Sequence, residues 1–126
     1  MRPKSLAEVA RLTLGGDSFD RCLANFLDEF YCAPNESGLA EMPALLAPIL
    51  GEAGRVQDAY LAATAEELAR AHGLTCPAWA AAEVRRLHQP WFASSLAALR
   101  TVLILESPVG FRSRNLFVSG NALSRA

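Results

Sequence analysis

Hydrophobic residues recur at intervals of three and four along most of the chain, which is the spacing that places them on one face of an α-helix. The clearest case follows Asp17 and Ser18, either of which can cap a helix. Pro34, which cannot continue a helix, predicts its end. Its apolar positions are Phe19, Cys22, Leu23, Phe26, Leu27, Phe30 and Tyr31. The opposite face of this helix is acidic.

Shorter helices are predicted on both sides of it. Ser5 and Glu8 form the Ser-x-x-Glu pattern of a capping box, and the glycine pair at 15–16 predicts the end of that first helix. Residues 39–50 keep the helical spacing of apolar side chains. Two prolines inside this segment predict that it is a short or kinked helix.

A longer helix is predicted over residues 55–72. Gly73 follows it at the position where a left-handed residue commonly ends a helix. Glu66 stands four residues before Arg70, which is the spacing of a surface ion pair along one helix. This helix is therefore expected to have one solvent-exposed charged edge.

The last third of the chain is more broken. Pro77 predicts the start of a turn that ends before Pro90, and Ser107-Pro108 predicts another short helical piece. The length of the apolar run 92–106 favours a helix, although residues 101–105 alone also fit a buried strand. The pattern as a whole predicts an all-α fold, a small single-domain bundle of about five to seven short helices over residues 1–126.

Length and cysteine content agree with a protein that folds without cross-links. A chain of 126 residues can bury one sizeable core. An odd number of cysteines without a Cys-x-x-Cys pair disfavours a disulfide framework and a four-thiolate zinc site. We expect all three to be reduced core residues of a cytoplasmic protein: Cys22, Cys32 and Cys76.

The sequence predicts neither a secretory leader nor a membrane span. The basic N-terminus is not followed by the uninterrupted apolar run of a signal peptide. The most apolar stretch, residues 91–105, contains Arg100 and is shorter than the roughly 20 residues that a membrane-spanning helix needs. It is expected to be a buried core element.

Charge is segregated along the chain although the net charge is only −1. Residues 1–69 carry five Lys or Arg against eleven Asp or Glu, whereas residues 70–126 carry seven against two. This asymmetry means either that the two halves attract each other or that a partner meets a surface of chosen sign. Mutual attraction of the halves is the favoured interpretation.

No pattern in the chain predicts catalysis, a metal or a cofactor. His72 and His88 lack the companion ligands of a metal site. No cysteine has a flanking histidine, and there is no Gly-x-Ser-x-Gly turn. Asp17 follows the glycine pair at 15–16, and its negative charge would repel a phosphate. We therefore expect a binding protein and not an enzyme.

Two classes of partner are compatible with the sequence, DNA and another protein. The first two predicted helices imitate a helix-turn-helix, but the second presents four acidic residues and only Arg21 in opposition, which disfavours DNA. Aromatic residues beside prolines, and arginines as a residue type, are typical anchors of protein interfaces. The two arginines flanked by phenylalanines could also contact phosphate and stack on a base of a nucleic acid. The two tryptophans are equally compatible with a core position. For the arginines, a solvated face or intramolecular pairing with the acidic half is favoured over contact with nucleic acid. The candidate interface residues are Trp79, Trp91, Phe92, Phe111, Arg112 and Arg114.

Four segments of the C-terminal half recur together in one protein family. They are AYLAATAEELA at 59–69, HGL with PAW at 72–74 and 77–79, PWF at 90–92, and ESPVGFRSRNLFV at 106–118. Over residues 55–126 the chain thereby resembles small bacterial proteins encoded beside predicted nucleotidyltransferases in toxin–antitoxin arrangements. Similar segments also follow helix-turn-helix domains. The resemblance transfers no catalytic residue.

The resemblance implies an antitoxin or regulator that binds and neutralises a nucleotidyltransferase-type toxin. Such a toxin attracts anionic nucleotides, so its cleft is expected to be basic. Asp20, Asp28 and Glu29 of the acidic helix would then occlude this cleft, while the aromatic residues and arginines named above would anchor the complex. A DNA-binding transcriptional regulator is the alternative. If the chain is an antitoxin, any contact with DNA would belong to its complex with the toxin. Self-association stays open.

Overall fold

Within residues 2–125, which the computed structural model describes, the chain forms seven α-helices and one pair of two-residue strands. The strands β1 (Trp91–Phe92) and β2 (Leu116–Phe117) pair in parallel. The predicted small, single-domain, all-α fold is confirmed. The helices are α1 Leu6–Leu14, α2 Phe19–Cys32, α3 Ser37–Ala40, α4 Ala47–Leu50, α5 Glu52–His72, α6 Arg100–Glu106 and α7 Val109–Arg112.

The predicted helix ends are formed by the expected caps. The hydroxyl of Ser5 accepts a hydrogen bond from the backbone N–H of Glu8 at 3.1 Å. Ser18 caps α2 in the same way through the N–H of Arg21 at 3.3 Å. Gly73 ends α5 in the left-handed conformation, at φ 66°, which glycine adopts without steric cost. Local sequence therefore fixes these boundaries.

Helix α5 separates two hydrophobic clusters and contributes to both. One cluster joins it to α1, α2 and α3 and includes Leu6, Phe26 and Leu61. The other joins its Ala59 and Ala63 to α7, β2 and the loop before β1. The many alanines of α5 allow this, because small side chains let neighbouring elements approach the helix closely on more than one side.

A buried polar junction holds the loop before α4 against α5. Both side-chain oxygens of Asp58, which is 1% exposed, accept hydrogen bonds from the backbone N–H groups of Leu46 (2.7 Å) and Ala47 (3.1 Å). The Arg85 guanidinium, equally buried, donates to the carbonyl oxygens of Pro43 and Asp58. We call Asp58, Arg85 and the backbone of residues 43–47 the Asp58–Arg85 junction.

The backbones of α5 and of the loop before α4 approach closely at this junction, and its charged side chains are buried. A Cβ atom at Gly54 would lie 2.5 Å from the carbonyl oxygen of Leu46, so only glycine fits there. Burial raises the pKa of Asp58 and lowers the pKa of Arg85, and the opposite charge of each partner limits both shifts. Asp58 is satisfied by the backbone N–H groups of Leu46 and Ala47, and Arg85 by backbone carbonyls, while the two opposite charges attract each other through the interior without direct side-chain contact.

The structure corrects two of the segment predictions. Residues 92–106 are not one helix: β1 is followed by a 3₁₀ turn at Ala97–Leu99 and then by α6. The backbone N–H groups of Trp91 and Ala93 donate to the carbonyls of Asn115 and Phe117, and this pairing with a distant segment replaces helical bonds. Residues 101–105 are helical. Segment 39–50 forms parts of two separate helices, α3 and α4.

The prediction that all three cysteines are core residues is confirmed for only one of them. Cys22 is buried in α2, whereas Cys32 and Cys76 are exposed, so the expectation that these two are core residues is wrong. Cys32 is the last residue of α2, and Cys76 lies in the loop after α5, where no element covers it.

Among residues 2–125, no helix combines the length and the apolar character that crossing a membrane would demand.

The Asp58–Arg85 junction generates a stability prediction. In Asp58→Ala the N–H groups of Leu46 and Ala47 lose their acceptor and Arg85 loses its counter-charge, so we expect a loss of about 2–4 kcal/mol in the free energy of unfolding. Urea denaturation followed by circular dichroism measures it. Glu52→Ala, at a side chain 90% exposed on the same helix, is the control and should change stability by less than about 0.5 kcal/mol. Equal losses in the two variants would contradict the role of the junction.

Candidate functional site

The first candidate surface is an exposed apolar region around α6. Of the seven residues of this helix only Leu103 is buried, although four consecutive residues, 102–105, are aliphatic. The expectation that residues 91–105 form a buried core element is therefore wrong. A helix that is apolar on all sides is ordinarily covered by protein. We call the exposed side chains of this region the apolar patch; they are Leu96, Leu99, Val102, Ile104, Leu105 and Val109, between 41% and 75% exposed.

A cation–π contact joins α6 to a pair of stacked aromatic rings on the strands. The rings of Phe92 and Phe117, on the paired strands β1 and β2, stack at a centroid distance of 5.1 Å and an interplanar angle of 21°. The guanidinium of Arg100, the first residue of α6, lies 5.0 Å from the centroid of Phe92. Phe92, a predicted anchor, is therefore half-buried beside the apolar patch.

The two tryptophans have different roles. Trp79 donates its indole N–H to the carbonyl of Leu39 at 3.0 Å, and the Arg85 guanidinium lies 4.8 Å from the centroid of the indole. It thus ties α3 to the Asp58–Arg85 junction. Trp91 is half-buried, packs against the second hydrophobic cluster and lines a cleft described below.

Phe111 and Arg114 are interior residues. Phe111 is fully buried against Tyr60, with the ring centroids 4.8 Å apart. Arg114, 3% exposed, donates to Glu66 at 2.9 Å and to the carbonyls of Gly110 (2.6 Å) and Ala80 (2.7 Å). Of the two interpretations favoured over nucleic-acid contact, Arg114 follows intramolecular pairing with the acidic half. Arg112, by contrast, is exposed.

The segment 106–118, which carries much of the family resemblance, builds this interior. The Ser107 hydroxyl donates to the carbonyl of Leu116 at 2.9 Å. Gly110 donates its N–H to Glu67 at 2.8 Å, and a Cβ there would lie 2.7 Å from that carboxylate. Asn115 adopts φ 63° and donates its amide to Leu87. These residues shape the turn between α7 and β2, so the motif is structural.

The acidic face of α2 is largely neutralised within the chain. Arg125 lies 2.9 Å and Arg2 3.8 Å from the carboxylate of Asp28, and Arg2 lies 3.9 Å from that of Glu29. The hydrogen bond from Arg125 lowers the pKa of Asp28. Within the part of the chain that the structure describes, Asp20 has no such ion pair. The face therefore offers a partner much less free negative charge than its composition suggests.

The second candidate surface is a cleft of about 630 Å³. It lies between α2 and the first half of α5, and β1 and the end of the chain complete it. Apolar side chains line most of it, and Asp20, Gln57 and Tyr60 add polar groups. Sequence reasoning identified Asp20 and Trp91 as binding residues but missed Gln57 and Tyr60, since on the sequence they are ordinary members of a helix.

Metal binding has no support from side-chain geometry. Within residues 2–125 no group of three or more His, Cys, Asp or Glu side chains lies close enough together to hold a metal ion.

The position of Arg114 generates a second prediction. Arg114→Met leaves the carbonyls of Gly110 and Ala80 without a donor and Glu66 without its buried counter-charge, so we expect about 2–4 kcal/mol lower stability. Arg112→Met, at an exposed position two residues away, is the matched control and should be nearly neutral. Thermal denaturation compares the two variants. A neutral Arg114→Met would show that the buried pair contributes nothing.

Glu66 generates a prediction about pH. Partial burial raises the pKa of Glu66, but hydrogen bonds and charge from Arg114 and then Arg70 outweigh it, so the net pKa lies below the ordinary 4.5. A depressed folded-state pKa gives stability that is present above pH 4.5 and lost as the pH falls through the folded value. Glu66→Gln should therefore lower stability at pH 7 and flatten its decline between pH 5 and pH 3, roughly the range that carboxyl titration covers. Chemical denaturation at several pH values tests this; an unchanged acid slope would refute it.

Comparison with known proteins adds no relative: no family model, no curated protein and no solved structure matches this chain.

Proposed function

We propose that this chain binds another protein through the apolar patch and acts as the antitoxin or regulator of a nucleotidyltransferase-type toxin. The single observation that carries the binding role is the exposure of six large aliphatic side chains within residues 96–109. Contiguous exposed apolar surface is uncommon on isolated domains and marks interaction sites. Covering these side chains with a partner would remove them from water, which is the main driving force of protein association.

The surroundings of the patch also suit a protein interface. Interfaces combine an apolar centre with a polar rim in which arginine is enriched. Arg100 begins α6, and Arg112 ends the helix that carries Val109; both are exposed. The half-buried Phe92 lies beneath Arg100. Of the predicted anchors, Phe92 and Arg112 remain candidates for this contact, whereas Phe111 and Arg114 are buried and the partly buried Trp79 is held by Leu39 and Arg85.

The kind of partner rests on the family resemblance and not on geometry. The resemblance of residues 55–126 to proteins encoded beside predicted nucleotidyltransferases supports a toxin of that class. The acidic helix α2 contributes less than the sequence suggested, because Arg125 and Arg2 hold Asp28 and Glu29. Asp20 is the member of this face that remains free for a cationic partner group among the described residues. The apolar patch is therefore proposed as the principal contact.

DNA binding stays the alternative function, and the charge pattern does not favour it. The helix in the recognition position, α2, directs Phe19 and Phe26 into the core, and its Arg21 lies 3.5 Å from Asp17. Phosphate contacts require free cations or neutral donors. A shift of promoter DNA by the purified chain, strongly reduced by salt, would favour the alternative.

Replacement of Leu105 tests the proposed interface. Leu105 is 75% exposed, so Leu105→Asp should leave the helical circular-dichroism signal and thermal stability unchanged. The carboxylate introduced at position 105 would have to be desolvated in the complex, so binding to the toxin should weaken by at least tenfold. The variant should then no longer restore the growth of cells that express the toxin. Co-expression with the product of the neighbouring gene, size-exclusion chromatography and a growth assay measure these effects.

The control for this experiment is Met42→Asp, which makes the same chemical change at an apolar side chain 63% exposed in the loop between α3 and α4. It should retain co-elution and rescue. Full rescue by Leu105→Asp would remove the patch from the interface. A wild-type chain that neither co-elutes nor rescues would overturn the proposed antitoxin function itself.

A further inference from the structure

One edge of the two-stranded sheet is open at β1. In a parallel pair, alternate residues of a strand direct both of their backbone groups to the neighbouring strand. The N–H groups of Trp91 and Ala93 do so, donating to the carbonyls of Asn115 and Phe117 at 2.8 and 2.9 Å. Phe92 lies between them, so its N–H and C=O point away from β2, and neither makes a hydrogen bond to any residue between 2 and 125.

The other edge of the sheet is closed by the domain itself. The hydroxyl of Ser107 donates to the carbonyl of Leu116 at 2.9 Å and accepts from the N–H of Val118 at 3.3 Å. On the β1 side, residues 88–90 before the strand and Ala93 after it are exposed. An unpaired strand edge at the surface is a template for pairing with another extended chain.

The cleft between α2 and α5 lies on one face of this strand. Successive side chains of a strand point to opposite faces. Trp91 and Ala93 accordingly line the cleft, whereas Phe92 does not and stacks its ring on Phe117 instead. The open edge and the cleft are therefore adjacent, because the residues that flank Phe92 belong to both.

The cleft has room for apolar side chains. Its volume of about 630 Å³ falls within the roughly 300–1,000 Å³ typical of ligand pockets. Phe19, Leu23 and Leu27 of α2 form one wall, and Val56 of α5 lies on another side. An aliphatic side chain that enters between them leaves water, which is favourable.

The combination of edge and cleft selects an extended peptide. A compact apolar molecule would fill the cleft but leave both backbone groups of Phe92 without a protein partner. One residue of an extended peptide can exchange two hydrogen bonds with Phe92, and the residues on either side of it then point to the face of Trp91 and Ala93. In this mode of recognition backbone hydrogen bonds give affinity, and alternate side chains give specificity.

We propose that β1 and the cleft form a binding site for an extended peptide, which adds a strand to the free edge of β1. The peptide pairs with the backbone of Phe92 and places aliphatic side chains from alternate positions in the cleft beside Trp91. This activity is independent of the antitoxin function, since none of the apolar-patch residues lines the cleft and binding does not require the toxin.

The full chain and three matched peptides test the inference. The probe is the uncharged, capped peptide Ser-Thr-Val-Thr-Val-Thr-Ser, whose valines share one face. Its isomer Ser-Thr-Thr-Val-Val-Thr-Ser has the same composition, but its valines point to opposite faces, so it should bind about tenfold more weakly. N-methylation of the probe at its central Thr and the following Val removes donors needed for either strand direction and should cost about tenfold or more.

Titration followed by ¹H–¹⁵N NMR measures these affinities and locates the site. The probe should shift the amide of Phe92 and the indole N–H of Trp91. Equal affinity for the three peptides, or no saturable shift with the probe at millimolar concentration, would overturn the inference.

Amide hydrogen exchange tests the open edge directly. In the free chain the N–H of Phe92 should exchange faster than those of Trp91 and Ala93, because only the latter two are bonded to β2. Saturation with the probe should slow exchange at Phe92. Exchange at Phe92 that stays unchanged in the complex would show that the peptide does not pair with β1.

Variants separate the backbone pairing from the cleft. Phe92→Pro and Phe92→Ala both remove the ring, but only proline removes the N–H, so Phe92→Pro should bind the probe about tenfold more weakly than Phe92→Ala. Ala93→Asp places a carboxylate on the cleft face and should weaken binding about tenfold or more. Ser95→Asp, at an exposed position outside the cleft, is its control and should bind normally.

Circular dichroism establishes that each variant keeps the helical fold. If Ala93→Asp and Ser95→Asp bind the probe alike, the peptide side chains do not enter the cleft and the inference is wrong. The N-methylated peptide tests the backbone pairing on the unaltered chain, whatever the effect of proline on folding.

Discussion

Helix α5 is the element on which the rest of the structure depends. It contributes buried side chains to both hydrophobic clusters, with Leu61 in one and Ala63 in the other. Only a helix rich in small residues can be approached closely from several sides. Two arginines from the C-terminal half add hydrogen bonds to this helix. Arg85 donates to the backbone carbonyl of Asp58 near the start of α5, and Arg114 donates to the carboxylate of Glu66 nearer its end.

Those two arginines explain part of the charge segregation. The acidic half supplies Asp58 and Glu66 on α5, and the basic half supplies the cations that meet them in the interior. Arg125 adds a surface pair with Asp28 on α2. Attraction between the halves, the favoured interpretation of the asymmetry, is thereby confirmed for these pairs. The surface of each half consequently offers less free charge than composition suggests.

Two surfaces remain after the internal contacts are satisfied. The apolar patch around α6 has aliphatic side chains that the domain itself does not cover. The cleft between α2 and α5 is lined mostly by apolar side chains, with the exposed carboxylate of Asp20 among its polar residues. The first surface suits a protein, because it is exposed helix with little hydrogen-bonding capacity, whereas the second is a cleft lined mostly by apolar side chains. The motif at 106–118 serves the interior instead.

Sequence alone determined the all-α class, the cap at Ser5, a cap at Asp17 or Ser18 and the end of α5 at Gly73, because these depend on periodicity and on side chains within one turn. The structure selected Ser18. Tertiary structure decided the rest. Pairing of β1 with residues 115–117 ended the helix expected over 92–106, and burial converted Arg114 from a candidate anchor into a core donor. The cleft likewise joins residues from α2, α5 and the chain end, and no local pattern records which distant side chains will meet.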